Sequence, residues 1–277
     1  MPKRKLEWTE KKIAKYIKEA RGSGEFSSYH PWLTIQDVRS DGRSHRIKGN
    51  KTNRIHHLFS DLERNYFYLL EWANDVIDIR EQFPLEREET YAIAEEKGIK
   101  PPVDSKTGTP IVLTTDFMIT RKVDGSIEYV ARTVKPSQLL NDVRTIEKFE
   151  IEREYWERKG IDWGIVTEKE MPIEFIKNII WVHGASILEN EEEEYLVDVM
   201  LELLRTHDQS TSMAEIAKIF EEEYHLNKGM ALYFFKHLFS KKVLSFDMYQ
   251  KFNLQKPLSE FSLNERGVVT EHDIAVG

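Results

Sequence analysis

The stretch that most restricts how this chain can fold runs from Thr114 to Pro136, TTDFMITRKVDGSIEYVARTVKP. Two alternating runs, Ile111 to Arg121 and Ser126 to Val134, flank Val123-Asp124-Gly125, where the glycine can take the positive φ of a tight hairpin turn. The spacing predicts adjacent antiparallel strands with Asp116 and Lys135 each about nine residues from the turn. At that level of the ladder, side chains on one face approach to about 5 Å. A carboxylate beside a lysine at the open end of a hairpin is the smallest set that supports metal-assisted phosphodiester hydrolysis: the acid holds magnesium and the ammonium stabilises developing negative charge. A surface ion pair is the plainer reading of the same two residues. The setting argues for the former, because Ile111-Val112-Leu113 precede the acid and Phe117-Met118-Ile119 follow it, apolar company unusual for a solvated charge.

Taken in order, Thr9 is placed to cap a helix with the apolar face Ile13, Tyr16, Ile17 and Ala20, which Gly22 ends. Pro31 to Ile35 reads as a strand. From Arg39 to His57 the chain carries Arg39, Arg43, Arg46, Lys48, Lys51 and Arg54 against Asp41, a run that suits a phosphate backbone or a solvated loop equally. Ser60-Asp61-Leu62-Glu63 has capping-box spacing ahead of a helix through Tyr66, Phe67, Leu69, Leu70 and Trp72, so spacing alone makes a cap the first reading of Glu63 and a metal ligand the second. Val76 to Phe83 alternates as a strand that Pro84 stops, and Glu88 to Glu96 is a short helix. After Lys135, Pro136 opens a long helix to Gly160 with the stripe Leu139, Val143, Ile146, Phe149 and Trp156, and Ile161 to Thr167 is a further strand. Strand, helix, strand, hairpin, helix, strand describes an α/β fold, a mixed sheet with helices packed on it. The adjacent His56 and His57 would face opposite sides of a strand and make no metal site, and no glycine-rich phosphate loop or internal repeat occurs.

The net charge of −8 is unevenly spread: Met1 to Met171 holds 30 basic and 30 acidic residues, and Pro172 to Gly277 holds 10 and 18. This change marks the expected boundary between a domain over 1–171 and another over 172–277. Beyond it, helix patterns at Glu174 to Val182, Glu191 to Arg205, Met213 to Tyr224 and Lys228 to Phe239 precede a strand at Val243 to Phe252. Helices followed by strand suggest a mainly α, winged-helix-like module. Its acidic runs, Glu191 to Glu194 and Glu221 to Glu223, oppose a phosphate-facing surface despite Lys228, Lys236, Lys241 and Lys242, and favour a protein partner. The absence of cysteine excludes disulfides, thiolate catalysis and cysteine-based zinc sites. With no run of eighteen apolar residues and no charged-then-apolar leader, neither a membrane partner nor secretion is expected, and a cytoplasmic location is.

Several of these segments together resemble the TnsA-type endonuclease subunit of heteromeric cut-and-paste DNA transposases. The resemblance rests on Pro31-Trp32-Leu33-Thr34, Gly42-Arg43-Ser44-His45-Arg46-Ile47, His56-His57 leading into Ser60-Asp61-Leu62-Glu63, and Leu70-Glu71-Trp72. It continues through Asp78-Ile79-Arg80-Glu81-Gln82-Phe83-Pro84, Thr115-Asp116-Phe117, Val134-Lys135-Pro136 and Arg144-Thr145-Ile146-Glu147-Lys148. These landmarks span Trp8 to about Thr167, and the remaining third resembles the family's C-terminal domain loosely. The resemblance implies a restriction-endonuclease-like core of the PD-(D/E)xK type. Its activity would be hydrolysis at the 5′ ends of a transposon dependent on Mg2+, with two ions and with Mn2+ as a substitute. The implied partners are double-stranded DNA at transposon ends, an integrase-type transposase that handles the 3′ ends, and an AAA+ ATPase regulator docked on the C-terminal domain, the whole acting at the bacterial nucleoid. By position, the resemblance implies Glu63 and Asp116 as magnesium ligands, the backbone of Thr133 and Val134 as completing the coordination, Lys135 as the catalytic lysine and Glu152 as a supporting acid.

Two residues depart from the pattern. Thr133 stands where related nucleases have an acid or a glutamine, and helical phasing puts Glu150 nearer than Glu152 to the centre of the apolar stripe. Arg43, Arg46, Lys48, Lys51 and Arg54 are expected to follow the DNA backbone. Two other readings use the same residues: a free-standing restriction or repair endonuclease, which would cut plain duplex alone, and a non-catalytic DNA-binding adaptor, which magnesium-dependent nicking would exclude.

Overall fold

The computed structural model describes residues 7–38 and 42–264. In chain order the first part holds α1 (Glu10–Lys18), β1 (His45–Lys48), β2 (Ile55–Leu58), α2 (Asp61–Trp72), β3 (Val76–Pro84), α3 (Arg87–Glu96), β4 (Thr114–Val123), β5 (Ser126–Val134), α4 (Val143–Arg158) and β6 (Asp162–Val166). The second holds α5 (Ile173–His183), α6 (Glu191–Thr206), α7 (Met213–Glu223), α8 (Met230–Ser240), β7 (Leu244–Ser245) and β8 (Ser262–Leu263). The chain divides between Met171 and Pro172 into two compact units. No helix of the described residues is long and apolar enough to cross a membrane.

The first unit is built on a mixed four-stranded sheet in the order β3-β4-β5-β6, antiparallel except for the parallel pair β5 and β6. The hairpin at its centre closes on two residues, Asp124 (φ 49°) and Gly125 (φ 83°), between the paired Val123 and Ser126. Two successive positive φ angles give the turn the right-handed twist that antiparallel strands require. α3 and α4 pack through Ile93, Ile151, Tyr155 and Trp156 against Met118 and Ala131 of the hairpin. Tyr66 of α2 meets Phe117 edge-on, with ring centres 5.5 Å apart. β1 and β2 form a separate two-stranded ribbon. This is the restriction-endonuclease-like arrangement expected of an α/β chain. In the second unit α6, α7 and α8 precede the short antiparallel ribbon of β7 and β8, the element order of a winged-helix module.

Three expectations need correction. Pro31 to Ile35 is no strand but an irregular stretch that runs into a turn, where Asp37 folds back to accept hydrogen bonds from the Thr34 N–H (2.9 Å) and hydroxyl (2.6 Å). The helix after Pro136 is broken: a short 3-10 turn over Ser137–Asn141 ends at Asp142, whose carboxylate caps α4 by accepting from the Thr145 N–H (2.8 Å). The buried arc of α4 runs through Phe149, Ile151, Tyr155 and Trp156, and Leu139, Val143 and Ile146 are exposed. The strand over Val243 to Phe252 is only two residues long, Leu244–Ser245.

Candidate active site

Glu63 stands in the first turn of α2. Ser60 caps that helix by accepting from the Glu63 N–H (3.0 Å), as the sequence suggests. The reciprocal bond differs, since the Glu63 carboxylate receives the Phe59 N–H (2.9 Å) and the Ser60 hydroxyl (3.0 Å) instead of the Ser60 N–H. A helix N-terminus favours negative charge there. The capping and site readings of Glu63 are therefore compatible, as the carboxylate closes the helix start and still lies within electrostatic reach of Asp116 and Lys135.

Asp116, in β4, receives the Val134 N–H at one oxygen (2.8 Å) and the Gln82 side-chain amide at the other (3.2 Å). The ladder pairs Phe117 with Arg132, so one further step puts Thr133 opposite Asp116, with Lys135 diagonally beyond it. The expectation of Asp116 and Lys135 at one level is off by that diagonal, which long side chains span. Lys135 is half-buried, and among the described residues its ammonium makes no hydrogen bond and no ion pair. It is not one half of a surface salt bridge.

Glu152 is buried in α4 and receives the hydroxyls of Thr115 (2.7 Å) and Thr133. The Trp156 indole in turn donates to Thr115 (2.7 Å). Glu150 faces outward and pairs with Lys97 and Arg153, both at 2.9 Å. The phasing that favoured Glu150 took Val143 and Ile146 as core; both are exposed, and Glu152 falls on the true inner arc with Ile151, Tyr155 and Trp156. Thr133 commits its hydroxyl proton to Glu152.

Burial, and then the Asp116 charge, push the Glu63 carboxyl up to about 8. Burial also raises Asp116, against the Val134 and Gln82 hydrogen bonds and the Lys135 charge, and raises Glu152 to about 7. Two like charges sharing a desolvated place repel, and a cation between them removes the penalty. Among the described residues no three His, Cys, Asp or Glu side chains gather to cage a metal by themselves. Two carboxylates supplemented by carbonyl oxygens and water nevertheless match how magnesium is held, as it keeps much of its hydration and takes one or two protein carboxylates. The residues present fit that ion.

The basic run divides. Arg43, Arg46 and Lys48 are exposed, the last two on the same face of β1. Arg54 is 9% exposed and is bound to Glu81 through both guanidinium nitrogens (2.8 and 2.5 Å), to the Ile79 carbonyl (2.7 Å) and to the Phe26 carbonyl (3.1 Å). With four of its five N–H donors committed inside the fold, Arg54 is a buried structural partner of Glu81, and the expectation that it follows the DNA backbone is not supported. Lys51 donates to the Ala73 (2.7 Å) and Val76 (2.6 Å) carbonyls, which ties the β1–β2 turn to the end of α2 and removes it from the phosphate-facing set. Arg39 lies outside the described residues. His56 is buried between Glu81 (2.8 Å) and Thr52 (2.7 Å), consistent with its having no metal role.

Sequence reasoning missed Gln82. It holds one oxygen of Asp116 and sits at φ 49°, a conformation that costs a non-glycine residue of order 1 kcal/mol or more and persists where the surroundings enforce it. The available signal was the pair Glu81-Gln82, two consecutive polar residues in a strand buried on both sides.

Comparison with known proteins adds the family. Residues 73–168 match the family described as "TnsA-like endonuclease N terminal", a stretch that includes Asp116, Thr133, Val134, Lys135 and Glu152 and begins after Glu63. Residues 170–248 match "TnsA endonuclease C terminal". The chain is 40% identical over 256 residues to the transposon Tn7 transposition protein TnsA of Escherichia coli, covering 92% of this chain and 93% of that protein.

Proposed function

This chain belongs to the TnsA family of transposition endonucleases, and from that premise we propose that it cuts DNA at the 5′ ends of a transposon by magnesium-dependent hydrolysis. It is a DNA endonuclease subunit that works with other transposase subunits. The observation that carries the finer reading is a pair of mutually repelling carboxylates, Glu63 and Asp116, beside a lysine with no partner among the described residues.

In this reading Glu63 and Asp116 hold magnesium, with the carbonyls of Thr133 and Val134 completing the oxygen set. Bound magnesium supplies a Lewis acid for the phosphoryl oxygens and a lower pKa for the attacking water. Lys135 donates hydrogen bonds to the non-bridging oxygens as charge builds on the phosphorane. Its diagonal offset from Asp116 leaves the width of one residue between acid and ammonium for the phosphate. Gln82 and the Val134 N–H fix both oxygens of Asp116, so the carboxylate does not need to reorient on binding. Glu152 locks Thr115 and Thr133, the neighbours of the proposed ligands, and so stiffens that end of the hairpin.

Arg43, Arg46 and Lys48 are proposed to lie along the duplex backbone. An integrase-type transposase acts on the 3′ strands, and the unit from Pro172 docks an AAA+ ATPase regulator, a role its 18 acidic against 10 basic residues supports. The test is strand-resolved cleavage of an end-labelled transposon-end duplex in the assembled reaction. The reading expects scission at the 5′ end only, lost in EDTA and restored by Mg2+ or Mn2+. Metal-independent scission, or cutting of plain duplex by this chain alone, would contradict it.

A further inference from the structure

Three side chains on α4, Arg144, Lys148 and Glu152, are spaced i, i+4, i+8 and so run along one face at intervals of about 6 Å. Glu152 is the inner end of this row, where it receives the hydroxyls of Thr115 and Thr133 beside Asp116. Lys148 and Arg144 therefore stand one and two turns outward from the site. Lys135 feeds through Pro136 and the short turn into the same helix. Lys148 is exposed and one helical turn from Arg144; desolvation of its stem, then the Arg144 charge, then the Lys135 charge hold its ammonium below the usual lysine value. Asp142, whose carboxylate receives the Thr145 N–H (2.8 Å) and hydroxyl (2.7 Å), opposes this least of the charges that act on Lys148.

Among the described residues Lys148 makes no hydrogen bond and no ion pair. Arg144 pairs with Glu147 at 2.7 Å, with both side chains 37% exposed. Such an i,i+3 surface pair is weak and exchanges readily for a better anion. Mutually repelling cations gathered beside a site for a phosphodiester call for an external anion, and the DNA backbone is the anion that the established activity brings there.

We propose that Lys148, supported by Arg144, holds the backbone phosphate next to the scissile one, so that the cleaved strand enters along the N-terminal half of α4. This rests on Glu63, Asp116 and Lys135 being the hydrolytic site. Lys148 is a positioning residue, and the β1 cations alone do not set the register of the strand. The test measures association of the full chain with a transposon-end duplex by fluorescence anisotropy from about 25 to 200 mM salt, without divalent metal so that no cleavage intervenes. Each lost phosphate contact lowers the slope of log K against log salt by about 0.9, which over this eightfold rise in salt is about a 6.5-fold change in K. Lys148→Gln is expected to show that loss at an unchanged melting temperature, Arg144→Gln a similar one, and Lys148→Arg recovery. In the assembled reaction, ethylation of the phosphate next to the scissile one should block cleavage by the natural chain, and Lys148→Gln should no longer distinguish ethylated from plain substrate. Unchanged slopes in both glutamine variants, or ethylation there without effect, overturn the proposal. Asp116→Asn tests the site reading separately, since its cleavage outcome is independent of the salt slope.

Discussion

Glu63→Gln is expected to abolish cleavage and, without divalent metal, to make the protein more stable. Glu63 is 7% exposed, and burial followed by the Asp116 charge moves its carboxyl from 4.5 to about 8. An acid whose folded value lies above its unfolded one costs nothing below about pH 4.5, where both states are protonated, and destabilises the fold progressively as pH rises to about 8. At pH 7 the gap from the unfolded value is about 2.5 units, which at 1.36 kcal/mol each is about 3 kcal/mol. Glutamine keeps the shape and its carbonyl oxygen still accepts the Phe59 N–H, but its amide nitrogen cannot accept the Ser60 hydroxyl, which offsets about 1 kcal/mol. The remaining gain of about 2 kcal/mol corresponds to a rise of about 4 to 8 °C in melting temperature for a unit of this size. Calorimetry in EDTA at pH 7 and pH 4.5 checks this: the gain should appear at the higher pH and vanish at the lower, and added magnesium should stabilise the natural chain but not the variant. A variant that melts lower at pH 7 in EDTA and still cleaves would show that Glu63 serves as a helix cap alone, and would refute the reasoning.

Gln82→Ala should lower single-turnover cleavage roughly tenfold through the lost hydrogen bond to Asp116, a loss of about 1.4 kcal/mol, while Gln82→Glu should do worse by adding charge; equal rates for all three would dismiss Gln82 as a support. Glu81→Gln leaves the buried Arg54 charge without its partner and should cost about 3 to 5 kcal/mol in denaturant unfolding. Against the penalty of burial, His56 and Arg54 hold the Glu81 carboxyl well below the usual range, so its stabilisation is present above about pH 4.5 and is lost as pH falls, which acid unfolding of the natural chain and the variant should separate. Arg46→Glu and Lys48→Glu should weaken duplex binding similarly for all sequences and flatten its salt dependence, whereas Arg54→Gln should unfold the protein more readily before it affects DNA; a sequence-selective loss in the β1 variants would instead mean base reading.

What was legible in the sequence was local. The Asp124-Gly125 turn, the alternation on either side of it and the Ser60 cap each involve groups within a few residues, and each stands where expected. The breaks in the reading come from side chains that act at a distance or reset a pattern. Asp37 closes a turn on Thr34 where a strand was expected, and α4, which starts at the Asp142 cap, buries an arc through Phe149, Ile151, Tyr155 and Trp156 and leaves Val143 and Ile146 exposed. Arg54 looks like one more member of a basic run because its partner, Glu81, lies 27 residues further on, in another strand. Gln82 was invisible to periodicity, since its role depends on a left-handed backbone within β3. Hairpin spacing paired Asp116 with Lys135 before any resemblance was needed, and site roles came through resemblance to a family for Glu63 and Glu152. Spacing alone favoured a cap for the first and left the last ambiguous with Glu150.

The measurement closest to the central claim is single-turnover cleavage by Asp116→Ala in the assembled reaction, across a titration of magnesium. Asp116 is the side chain on which the Val134 N–H, Gln82 and the electrostatic influence of Lys135 and Glu63 converge. The account predicts no 5′-strand cleavage at any magnesium concentration from a protein that folds and assembles normally. Cleavage retained with the natural chain's magnesium dependence would contradict it.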